Sequence, residues 1–175
     1  MEHTQYEKIA TDWIESLAMD EINMEESGVI NFHEHLNPER ILEESSIEFM
    51  NNIREFFEIY VSKFNEYRAG KDNRNSIKIF KISNTVNDFM LFRNALKLVV
   101  ARRSNDVITI GFLSNAGGLF SARLGSDAPS INTVHEIQAQ VGAFGEVQWR
   151  FRGESIKQEA LVRHYLTEFI KHSAR

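Results

Sequence analysis

The alternation of apolar and polar positions changes character twice along the 175 residues. Residues 4–23 read as a helix. Tyr6, Ala10, Trp13, Ile14, Leu17 and Ala18 fall on one stripe, and Thr4 with Glu7 has capping-box spacing. This helix is expected to bury Trp13. Ser27-Gly28 breaks it, and residues 29–32 suit a short edge strand. Asn37-Pro38-Glu39 starts a second helix: Asn caps, Pro fits the first helical position, and Glu favours the positive end. The helix runs to about Tyr67. Phe49, Ile53, Phe56, Tyr60, Phe64 and Tyr67 recur at steps of three and four, the stripe of a helix packed along its length. Ser45 with Glu48 offers a second capping box, so a kink or restart near Ser45-Ser46 is expected. Residues 69–75 form a turn or hinge.

From Ser76 the period drops to two. Residues 77–82 read as a strand; residues 88–95 fit either a helix with Phe89, Met90 and Leu96 on one face or, the preferred reading, an extended segment entering the next strand. Residues 96–113 form a hairpin. A two-residue turn at Ser104-Asn105 sets Ala101 opposite Ile108 and Val99 opposite Ile110, with both faces mostly apolar. Strands covered on two sides have this pattern. Another strand is expected at 119–124. Residues 134–152 make a second hairpin with Val141 opposite Val147 and Ala139 opposite Trp149. Its other face is wholly polar, pairing Gln140 with Gln148 and Gln138 with Arg150. The chain then ends in an amphipathic helix. Leu161, Val162, Tyr165, Leu166, Phe169 and Ile170 form its apolar side, and Ser155 with Gln158 offers a cap.

These elements predict one α+β domain spanning 1–175. An antiparallel sheet of about five strands, within residues 76–152, packs against two N-terminal helices and one C-terminal helix. At 42% hydrophobic and 26% charged, the chain can bury a core and is not expected to be disordered. No apolar run nears the length of a bilayer span, so no membrane partner is expected. The first residues carry no basic segment and no apolar segment, so no signal peptide is expected. With no cysteine, disulfides and thiolate chemistry are excluded, and the cytoplasm is the expected compartment. Charge is uneven. Residues 1–70 hold 16 acidic and 5 basic residues, a net of −11, and residues 71–175 carry a net of +6.

Candidate chemistry is sparse. His33 and His35 are two apart, the spacing at which two imidazoles on a strand point the same way and can hold a divalent metal. His135, Glu136 and His164 are the available further ligands, with no spacing that connects them. Residues 114–118 and 142–145 are glycine-containing turns that lack the lysine or third glycine of phosphate and dinucleotide loops. Arg93, Lys97, Arg102, Arg103, Arg123, Arg150 and Arg152 come from several strands and would form an anion-binding surface if they converged.

The preferred reading is a non-enzymatic binding or assembly module, self-associating or binding a protein partner through a sheet face or a helix. Val99, Ile108 and Ile110 mark the apolar face. The alternative is nucleic-acid or anionic-ligand binding on the basic sheet. The second alternative is a metal-dependent hydrolase using His33 and His35. No other cofactor is expected.

Overall fold

A computed structural model describes residues 9–29, 37–68, 75–114 and 134–174. In chain order the elements are α1 (Asp12–Ser27), α2 (Pro38–Arg68), β1 (Lys78–Lys81), β2 (Phe89–Arg93), β3 (Leu96–Ser104), β4 (Val107–Ser114), β5 (Val134–Val141), β6 (Val147–Phe151), β7 (Glu154–Ser155) and α3 (Gln158–Ser173). The fold class is α+β, with a seven-stranded antiparallel sheet in the order β1-β2-β3-β4-β5-β6-β7. The count exceeds the expected five because residues 88–95 supply β2 and a two-residue β7 follows β6. The expected strand at 119–124, the Thr4–Glu7 capping box and nearly all of the 29–32 and 69–75 segments lie outside the described residues.

The chain divides into two units, Met1–Leu36 and Asn37–Arg175. In the first, α1 ends at Gly28, whose φ of +68° closes the helix and whose N–H donates to the Met24 carbonyl. That conformation favours glycine. The expectation that this helix buries Trp13 is corrected: Trp13 is 67% exposed, and no residue of α1 is buried. The stripe lacks a second described element of its own unit to pack against.

In the second unit, Asn37 caps α2 as predicted, its Oδ1 accepting the Glu39 N–H at 3.1 Å. The helix runs 31 residues without the predicted restart at Ser45-Ser46. Both serines serve tertiary contacts instead. Ser45 Oγ accepts the Trp149 indole N–H at 3.1 Å, and buried Ser46 Oγ accepts from Arg102 Nη1 of β3 at 3.3 Å while donating to the Glu43 carbonyl. The buried side of α2 comprises Phe49, Met50, Ile53, Phe57 and Val61, rotated from the predicted stripe. The reason is that α2 has two neighbours. The sheet takes Phe49, Ile53 and Phe57, while Tyr60 turns toward α3 and donates to Glu159. Tyr67 is 80% exposed. In α3 the predicted face is buried: Leu161, Val162, Tyr165, Leu166 and Phe169. Its expected cap is not formed, because Ser155 belongs to β7 and the N-cap position falls on Lys157.

Both helices cover one face of the sheet. Phe89, Leu91, Leu98, Val100, Ile108, Ile110 and Ile137 point into this layer and join the helical side chains in one core. Each such fully buried side chain contributes about 1.5–3 kcal/mol relative to exposure.

Connections set the registers. Between β2 and β3, Asn94 and Ala95 both have positive φ, +49° and +69°, the backbone that a two-residue hairpin turn requires. The β5–β6 register is as predicted, with Ala139 opposite Trp149 and Gln138 opposite Arg150. The β3–β4 register is corrected. The turn falls on Asn105-Asp106, and a bulge at Arg103 shifts the pairing so that Val99 faces Gly111 and Val100 faces Ile110. The turn is held by side chains: Ser104 Oγ donates to Asp106 Oδ1 at 2.6 Å, and Arg102 Nη1 donates to Asn105 Oδ1 at 2.6 Å. One inserted residue moves every side chain beyond it to the opposite face.

Candidate binding face

Because strand side chains alternate, the residues between the core positions form the second sheet face. Neither α2 nor α3 lies on it. The strand pairings place Phe80, Met90, Val99, Gly111 and Val134 in one continuous row across β1 to β5. A parallel row holds Lys78, Phe92, Lys97 and Leu113. On the other side of the first row stand Ala101, Thr109 and Glu136, followed by Val107, Gln138 and Arg150. The face therefore has an apolar half on β1–β4 and a polar half on β5–β6. Phe80 is 43% exposed, Leu113 48% and Val134 53%. Ala101, Thr109 and Gly111 are small and buried, so the middle of the face is recessed beneath its longer neighbours. Over the polar half lies a cavity of about 610 Å³, lined by Glu136, Gln138, Gln140 and Arg150 among others.

The structure separates the residues singled out from sequence. Ile108 and Ile110 are 0% exposed and lie under the helices, whereas Val99 is half-buried on the other face. Of the basic set, Arg93 and Arg102 are on the helix side. Arg93 is 4% exposed; its guanidinium lies 5.2 Å from the Phe64 ring centroid and donates to the Ile170 carbonyl and Ser173 Oγ near the end of α3. Burial, followed by the charge of Arg68, lowers its pKa. Arg102 donates to Ser46 Oγ on α2. Lys97, Arg103 and Arg150 lie on the second face. Arg103 donates to Thr109 Oγ1 at 3.3 Å, and Arg150 donates to Gln148 Oε1 at 2.7 Å. Arg152 sits in the β6–β7 turn with its guanidinium over the Phe151 ring. Arg123 lies outside the described residues. The four described arginines and Lys97 that the structure places on strands thus divide between two faces.

His33 and His35 lie outside the described residues. Among the described residues, no three His, Cys, Asp or Glu side chains gather into a metal-holding group. His135 faces the helices. Its Nδ1 is 2.7 Å from the Tyr165 hydroxyl, and its ring packs beside Phe151. Burial pushes the Tyr165 hydroxyl up to about 12, so it remains protonated, and the tautomer of His135 sets which of the two donates. Burial also lowers the His135 pKa, and Arg152 and His164 lower it further.

Phe80, Met90, Phe92, Leu113 and Val134 on the second face escaped the sequence reading. The signal that marks two of them is the alternation within β2, where Phe89, Leu91 and Arg93 are buried and Met90 and Phe92 stand between them. No helix among the described residues is long and apolar enough to cross a membrane. Comparison with models of known families, with curated proteins and with solved structures found no match.

Proposed function

We propose that this chain is a non-enzymatic binding or assembly module that takes a protein partner on its second sheet face. The observation that carries this reading is the apolar row Phe80, Met90, Val99, Gly111 and Val134, continuous over five strands on the face opposite α2 and α3. Contiguous apolar surface of this kind is costly in water and characteristic of interaction sites. The recessed middle supplies shape, and the polar half over β5–β6 supplies hydrogen-bonding groups at the margin, the arrangement of an interface with an apolar centre and a polar rim. The partner is either a second copy of the chain, giving a homodimer, or another protein. The cysteine-free composition supports the cytoplasm as the compartment.

Sedimentation velocity across the micromolar range tests self-association. The expected result is a concentration-dependent dimer that Val99→Arg converts to monomer. A strict monomer for both proteins removes the homodimer. An equally strong dimer for both moves the interface away from this face.

A further inference from the structure

We infer that the partner taken by this face is an acidic amphipathic helix. The inference rests on the binding reading above and adds the chemistry of the occupant. Two observations carry it, shape and charge.

The apolar row crosses five strands. At about 4.8 Å between strands it is roughly 19 Å long. The neighbouring Phe92 and Leu113 widen it by one further row, so the patch is long and narrow. A helix of roughly 13 residues, at 1.5 Å per residue, has an apolar stripe of that length. The recess over Ala101, Thr109 and Gly111 receives the crest of such a stripe, with Phe92, Lys97 and Leu113 on one flank and Val107, Gln138 and Arg150 on the other.

The flanks set the charge. Lys78 and Lys97 alternate with Phe92 and Leu113 on one side of the row, and Arg103 and Arg150 stand on the other. Against these four cations the face presents one carboxylate from its strands, Glu136. The ion pairs among the described residues join side chains within helices and use none of the four: Arg40 with Glu44, Arg54 with Glu58, Lys63 with Glu66, and His172 with Glu168. An apolar stripe bordered by carboxylates would fill the recess and pair with both flanks at once. Nucleic acid is the less suitable occupant. The centre of the face is non-aromatic at Met90, Val99 and Gly111, its aromatic side chains Phe80 and Phe92 stand at the β1 end and on the flank, and Trp149 is buried against Phe49 of α2.

The experiment titrates the full chain into two fluorescently labelled synthetic helices of the same leucine pattern, one with glutamate and one with lysine at every polar position. A labelled single-stranded oligonucleotide is the third probe. The acidic helix is expected to bind saturably and to weaken with salt. Lys97→Glu is expected to lower its affinity about tenfold by replacing an attraction with a repulsion. Lys78→Glu, on an exposed edge strand, should lower it several-fold and guards against a folding defect in the first variant. Equal or tighter binding of the basic helix, or displacement of the acidic helix by the oligonucleotide, overturns the inference. If Val99→Arg abolishes binding while both lysine variants leave it unchanged, the inference falls and the binding reading stands. If none of the three substitutions changes binding of any probe, both fall.

Discussion

Single residues in this protein divide by which face of the sheet they occupy. Arg93 and Lys97 are four apart and both basic, yet one is a buried strut and the other a half-exposed flank. Arg93 donates to the last turn of α3, and its neighbour Asn94 donates from Nδ2 to the Ser173 carbonyl at 2.9 Å. Helix C-termini leave carbonyls unsatisfied and favour positive charge, so this pair closes α3 onto the β2–β3 turn. Composition could not separate the two roles, because both residues count equally as charge. The contact between His135 and Tyr165 gives a pH dependence. Burial, Arg152 and His164 lower the His135 pKa from its ordinary 6.5. The unfolded chain therefore takes up this proton first. The contribution is fully present above pH 6.5, is lost progressively as pH falls toward the folded-state value, and is constant below it. Urea midpoints measured at intervals from pH 7.5 to about 4 should show this decline, superimposed on carboxylate titration at the acid end. His135→Gln should remove the component nearest 6.5. An unchanged pH profile in that variant would mean that His135 is not its source.

Among the elements, the helices and the second hairpin were legible because their patterns are local. The β5–β6 pairing was readable since its two faces differ so sharply in polarity that only one register satisfies both. The β3–β4 pairing was not readable. Both faces of 96–113 are rich in apolar residues, so a slip of one costs little in pattern, and a bulge leaves no fixed mark in sequence. The consequence was substantive: Val99 was grouped with Ile108 and Ile110, which lie on the other side. Segment 88–95 was ambiguous because its turn, Asn94-Ala95, carries no glycine although both residues have positive φ. Ala95 at +69° bears the strain of a Cβ in the left-handed region. Ala95→Gly should therefore stabilise the protein by roughly 1 kcal/mol, offset in part by the greater entropy of glycine in the unfolded chain. Urea denaturation reads this directly, and a loss of stability would contradict the turn geometry.

At the scale of the whole molecule, the opposed charges of the two halves of the sequence describe real compositional regions, but the basic one is not a single surface. Its arginines tie the sheet to α2 and α3 on one side and border an apolar row on the other. In the second unit α2 and α3 over one face of a meander account for the core, and the proposed binding site is the opposite face. The absence of cysteine from the chain makes this open to a clean labelling experiment. Val99→Cys, Leu113→Cys and Gln138→Cys should react with a thiol reagent in the native protein, whereas Leu98→Cys and Ile110→Cys should react only after unfolding. Similar protection at Val99 and Leu98 in the isolated chain would contradict an open second face.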